Sequence, residues 1–181
     1  MTQRKRFFAL AVVVGCAVAV IAWGRAATAS NDAHNVPVTL HEQLSGYEET
    51  PLALSTTGTG RFRAQINERQ QQITYTLSYS GLEGPVTQAH IHFGAKAQTG
   101  GISVFLCTNL GNGPAGTQAC PPAPATISGT IGATDVIGPT AQGIAPGEFA
   151  ELVRAIRAGA SYVNVHSTLY PVGEIRAQFG H

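Results

Sequence analysis

The sequence predicts an all-β domain, a Greek-key sandwich or barrel of about eight antiparallel strands with one short connecting helix. Three observations carry this prediction. Apolar residues alternate with polar ones in segment after segment, often on Val, Ile and Thr. Glycine and proline, 21 and 10 of the 181 residues, punctuate those segments as turns. A single stretch keeps a helical period instead. The apolar fraction of 44% suits one globular domain and is too high for a disordered chain.

The first alternating run is Val36 to Leu44, with Val36, Val38 and Leu40 in one phase. A long connection follows, Ser45 to Thr57, holding Tyr47, Glu48, Glu49 and Pro51. Gly60 to Ile66 alternates through Phe62 and Ala64, and Gln72 to Tyr79 through Ile73, Tyr75 and Leu77. The polar tetrad Asn67-Glu68-Arg69-Gln70 between them makes a hairpin. Val86 to Phe93 and Gly101 to Cys107 form a second pair around the turn Gly94 to Gly100. Thr126 to Ile131 is a weaker strand. Ser161 to His166 and Gly173 to Phe179 close the chain around Leu169-Tyr170-Pro171-Val172. The helix starts at Pro146-Gly147-Glu148, where an acid suits the positive end of the helix dipole. Phe149, Leu152, Val153 and Ile156 then make one apolar face, and Gly159 ends it. Such a face is expected to plug one end of the β-structure.

The N-terminus reads as residues 1–29 of a secretion signal. Arg4, Lys5 and Arg6 precede an uncharged apolar run from Phe7 to Trp23, and Ala27-Thr28-Ala29 offers a cleavage site. Two alternatives stand beside cleavage. The run just reaches the length of a spanning helix, about 17–25 residues, so it could remain as an anchor. Val13-Val14-Gly15-Cys16 also resembles a lipobox. Each places the domain, residues 37–180 after a linker at 30–36, outside the cytoplasm: periplasmic, secreted or anchored facing outward. Cleavage removes four of the eleven cations and none of the ten acids, leaving a formal charge of −3. No basic patch shows in that balance, which argues against nucleic acid as a partner. A membrane enters only through the anchor.

Cys107 and Cys120 flank a Gly/Asn-rich loop and are expected to form a disulfide in an oxidising compartment, with a thiolate metal pair as the rival reading.

No G-x-S-x-G, H-E-x-x-H, phosphate-binding loop or dinucleotide fingerprint occurs, so no catalytic residue is assigned. The chemistry lies in three histidines. His90 and His92 sit two apart on one strand and so share a face. His166 shares its strand phase with Tyr162 and Asn164, while Val163 and Val165 point the other way. His-x-His offers two imidazoles to copper or zinc, and His166 would complete a three-histidine site. His41 is a weaker fourth candidate. The competing reading is structural: half-buried sheet histidines bonded to Asn164, Glu174 or backbone. Glu174 and Arg176 share a face of the last strand, where they could lock each other by charge-assisted hydrogen bonds or hold a histidine ring from behind.

These same residues carry a family resemblance. Leu44-Ser45-Gly46-Tyr47-Glu48-Glu49-Thr50-Pro51, Thr57-Gly58-Thr59-Gly60, Ile73-Thr74-Tyr75 with Gly81-Leu82, and Ala89-His90-Ile91-His92 followed by Gly100-Gly101 are one part of it. Gly159, Tyr162-Val163-Asn164-Val165-His166-Ser167, Pro171 and Gly173-Glu174-Ile175-Arg176-Ala177-Gln178 are the other. From about Val38 to Phe179 the chain resembles the CHRD domain, the repeated module of chordin that also occurs singly in bacterial secreted proteins. Ser167 and Ala177 depart from the family's usual Thr and Gly. The resemblance implies an extracytoplasmic β-rich module. His90-Ile91-His92-Phe93-Gly94 is also loosely similar to the His-Val-His strand of copper/zinc superoxide dismutases, whose bridging histidine and zinc-site aspartate have no match here. The expectation is therefore a secreted or envelope-associated, non-enzymatic binding or structural module with an unidentified protein or envelope partner. The alternative is a copper- or zinc-binding protein using His90, His92 and His166.

Overall fold

The computed structural model describes residues 38–180. Val36, the linker and the segment read as signal, anchor or lipobox lie outside the described residues. Eight strands form: β1 (Val38–Ser45), β2 (Thr59–Asn67), β3 (Gln72–Ser80), β4 (Val86–Phe93), β5 (Gly101–Thr108), β6 (Ala125–Ile131), β7 (Ser161–Ser167) and β8 (Ile175–Gln178). One α-helix, α1 (Phe149–Arg157), precedes β7.

Every expected strand is present among the described residues, the first from Val38 onward, with described ends within a residue or two of expectation. The last is the exception, since Gly173 and Glu174 stay in the turn before β8. Gly173 takes φ +141°, a backbone setting that side chains rarely adopt. The predicted hairpin pairs form, the second with two register breaks. β2 and β3 pair antiparallel from Thr59↔Ser80 to Asn67↔Gln72, and β4 pairs with β5 across the 94–100 turn. Alternation decides what goes inside: Phe62, Ala64 and Ile66 on β2 face Ile73, Tyr75 and Leu77 on β3, and all are buried. Burying each large apolar side chain contributes about 1.5–3 kcal/mol.

The strands follow the order β5-β4-β7-β8-β1-β2-β3-β6 in a nearly closed, barrel-like antiparallel sheet. The non-consecutive neighbours β4–β7, β8–β1 and β3–β6 are its crossovers. One bridge, Ser45↔Arg176, joins β8 to β1, so two four-stranded halves meet there. The apolar face of α1 (Phe149, Leu152, Val153 and Ile156) joins the same core cluster as the strands. Gly159, at φ +66°, ends the helix as expected, and Arg157 ties it to Glu68 in the β2–β3 turn.

The halves differ on their outer faces. Outward residues of β1, β2 and β3 are largely exposed, giving the simple in–out pattern of β2 and β3. β7 and β8 are buried at every position, and most of β4 is buried too. Their inner face is apolar, with Ala89, Ile91, Val163, Val165, Ile175 and Ala177. Their outer face is polar and roofed by loops, and the histidines sit there.

Candidate metal centre

The antiparallel register builds the site row by row. His90 lies opposite Asn164, and Asn164 opposite Arg176. His92 lies opposite Tyr162, and Tyr162 opposite Gln178. His166 lies opposite Gln88. β5 bulges twice beside β4, between the partners of Ala89 and His90 and again between those of Ile91 and His92. Bulges of this kind re-aim neighbouring side chains.

The three imidazoles converge. Ring centroids are 5.0 Å apart for His90–His166, 5.3 Å for His90–His92 and 6.0 Å for His92–His166. One ring nitrogen from each lies within 4.8 Å of the others. His90 Nδ1 and His166 Nε2 are 3.2 Å apart. Two nitrogens on one tetrahedral metal, each bonded at about 2.0–2.1 Å, lie roughly 3.3–3.4 Å apart, so this pair already has the required spacing. His90, His92 and His166 are 0%, 8% and 5% exposed, so whatever reaches them is stripped of bulk water.

Two carbonyls fix which nitrogen is free. His92 Nδ1 is 3.0 Å from Gly100 O, and His166 Nδ1 is 3.1 Å from Pro171 O. A carbonyl only accepts, so both Nδ1 atoms carry the hydrogen and both Nε2 atoms keep a lone pair. His166 Nε2 then accepts from His90 Nδ1. That leaves His90 Nε2 and His92 Nε2 buried without any hydrogen-bond partner. Unpartnered buried nitrogens are costly, and Ser103, Ser161, Asn164 and Glu174 each carry one further buried oxygen without a partner. The rings are also uncharged. Burial, with the neighbouring imidazoles, lowers His90 to about 2. Burial lowers His92 and His166 to about 4, against the raising effect of their carbonyl partners. Neutral imidazole is the form that binds metal.

Aromatic and cationic side chains pack around the rings. His90 meets the edge of Phe105 at 4.3 Å between centroids. His92 stacks on Tyr162 at 4.8 Å, and the Arg176 guanidinium lies 3.6 Å over the centre of the Tyr162 ring. Arg176 and Glu174, paired in the sequence reading, take separate partners. Glu174 Oε1 accepts from the Thr56 hydroxyl at 2.8 Å and the Glu83 N–H at 2.7 Å. Arg176 donates to Thr50, to Gln98 O at 3.0 Å and to Gln178 Oε1 at 2.7 Å. Asn164 also does not reach a histidine. Its amide donates to both carboxylate oxygens of Glu49, at 2.9 and 3.1 Å. Asn164 and Glu174 thus bind loop residues rather than a histidine, while Arg176 backs His92 through the Tyr162 ring. His41 is exposed on β1 opposite Arg63, outside the cluster.

Glu49 is the polar residue that sequence reasoning missed. Burial pushes its carboxyl up to about 7, partly offset by the Asn164 amide and the Arg176 charge. A side chain at Gly173 would come within 2.6 Å of Asn164 Oδ1 and 2.7 Å of Glu49 Oε2, so only glycine lets the β7–β8 turn close over this pair. Cys107 and Cys120 form the expected disulfide, which is consistent with an oxidising compartment.

The CHRD domain profile matches residues 40–179 of the chain. No curated protein and no solved structure matches it.

Proposed function

The chain belongs to the CHRD-domain family, and on that footing we propose that it works outside the cytoplasm as a binding module for a transition-metal ion, copper or zinc. His92 Nε2, His166 Nε2 and a ring nitrogen of His90 are the ligands. Imidazole suits both metals, and copper ranks above zinc in general affinity. The observation that carries this reading is the convergence of three buried imidazoles, one ring nitrogen of each within 4.8 Å of the others, with His90 Nε2 and His92 Nε2 lacking any hydrogen-bond partner. A metal takes up the free lone pair of His92 Nε2 and replaces the His90–His166 hydrogen bond, drawing one nitrogen from each ring into a single site. The carbonyls of Gly100 and Pro171 supply the outer hydrogen bonds that orient ligating histidines in general. An extracytoplasmic location is supported by the disulfide and by the basic–apolar–Ala-x-Ala order of the N-terminus.

Purified protein dialysed against Cu²⁺ or Zn²⁺ and assayed by elemental analysis is expected to retain about one metal ion per chain, and bound metal to raise the melting temperature. His92→Ala and His166→Ala are expected to lose both the ion and that thermal shift. If the wild-type protein stays metal-free and its melting temperature ignores both ions, the three histidines are structural.

A further inference from the structure

The half of the sheet opposite the histidines, β1-β2-β3-β6, presents a broad outer face. The single-residue alternation of these strands fixes its chemistry. Thr74 and Thr76 on β3 lie beside Thr130 and Ser128 on β6, and the outward positions of β1 and β2 add further hydroxyls and amides. Arg61 and Arg63 stand two apart at its centre, opposite Gln43 and His41 on β1. Neither arginine makes an ion pair or hydrogen bond among the described residues. No outward position carries a carboxylate. Glu42, the acid within these strands, has the inward phase and accepts from the Gly180 N–H at 3.2 Å. The face thus runs against the chain's overall balance, which is acidic once residues 1–29 are set aside. At one end, Gln43, Ser45, Thr59, Arg61, Ser80 and Thr126 border an open concavity of about 880 Å³.

From this we propose that the β1-β2-β3-β6 face binds an anionic polysaccharide, one carrying a carboxylate or sulfate at regular intervals along a hydroxyl-rich chain. Hydroxyls and amides in a regular lattice match sugar hydroxyls as both donors and acceptors. Side chains two apart on a strand repeat about every 6.8 Å and neighbouring strands about every 4.8 Å, so the arginines meet successive charges of an extended polymer rather than one compact ion. The aromatic residues of these strands, Phe62, Tyr75 and Tyr79, all point inward and are buried. The face therefore lacks the stacking platform that single-stranded nucleic acid uses and the aromatic anchors of a protein interface. Nothing in this inference depends on the metal reading, because the two sites lie on different halves of the sheet.

The test is affinity electrophoresis and calorimetry of the full chain against polygalacturonate oligomers, neutral dextran and double-stranded DNA. Polygalacturonate is expected to bind with an affinity that falls as salt rises, and dextran not to bind. Arg61→Glu with Arg63→Glu is expected to weaken binding by roughly tenfold or more, and Arg61→Lys with Arg63→Lys to keep most of it. Thr74→Ala with Thr76→Ala, which keeps both charges, is expected to weaken it a few-fold. Unchanged melting temperatures report intact folding, and single Arg61→Gln and Arg63→Gln variants replace the reversal if it unfolds. Polygalacturonate binding that the arginine substitutions leave unchanged would overturn the proposal. So would no binding at low salt, or DNA binding tighter than polygalacturonate.

Discussion

At the scale of single residues, Glu49 is the most sensitive probe of the polar layer. Its folded carboxyl titrates near 7 and an unfolded one near 4.5. Below about 4.5 both states are protonated and the stabilisation of the neutral carboxyl is fully present. As the pH rises towards 7 the unfolded chain sheds its proton first, and that stabilisation is lost. Glu49→Gln keeps an acceptor for the Asn164 amide and removes the ionisation. Relative to wild type, the variant is expected to melt several degrees higher at pH 8 and about equally at pH 4.5. An equal difference at the two pH values would show that burial of the charge is not what matters at this position. The sequence places Glu49 only in a long connection. Its partner Asn164 is far away in the chain, and no periodicity in a loop reports such a contact. His166, in contrast, is legible, because strand phase alone puts it on the face of Tyr162 and Asn164.

Among the elements, the edge strands β5 and β6 face each other across a seam that no strand pairing closes. Gln118, in the loop closed by Cys107–Cys120, crosses it. Its amide donates to Leu106 O on β5 at 3.1 Å, to Ser128 O on β6 at 3.3 Å and to the Tyr75 hydroxyl at 2.9 Å. Tyr75 itself donates to Leu106 O. The disulfide thus holds in place the residue that bridges the strand edges. Replacing both cysteines by serine is expected to lower stability by about 3 kcal/mol in the chain-entropy model. Gln118→Ala is expected to cost a further part of the same effect, so that in the cysteine-free background its cost shrinks. Additive losses in urea unfolding would mean that loop and seam act independently. The disulfide itself is readable from two cysteines in a Gly/Asn-rich loop, but the bridging role of Gln118 depends on which strands become edges.

Over the whole molecule, buried titratable groups set the pH range of stability. The unfolded histidines take up protons near 6.5, whereas folded His92 and His166 resist protonation to about 4 and His90 to about 2. The unfolded state therefore binds more protons at every pH from 6.5 down to about 4. Stability is fully present above 6.5 and falls as the pH falls through that window. Glu49 works in the opposite sense, but one carboxyl does not offset three rings, since every tenfold change in a ring's proton affinity is worth about 1.4 kcal/mol. Thermal melts of metal-free protein are expected to be highest near pH 7 and to drop steeply between pH 6 and 4. A flat profile across that interval would contradict the burial of the three imidazoles.

Local periodicity and turn chemistry are enough to specify the strands, the helix, the disulfide and the shared face of His90 and His92. The CHRD resemblance is equally local, since its motifs are contiguous stretches of chain. Which strands adjoin is settled by tertiary contacts instead. Pairing β4 with β7 brings His166 to His90, and the β8–β1 bridge divides a roofed, buried polar layer from an exposed hydroxyl and arginine face. The same contacts separate Glu174 from Arg176, two residues apart in sequence yet claimed by different loops. One physical reason covers all of these cases: strand order, hydrogen-bond partners and burial come from contacts between distant segments, and a period of two records only which side of its own strand a residue takes.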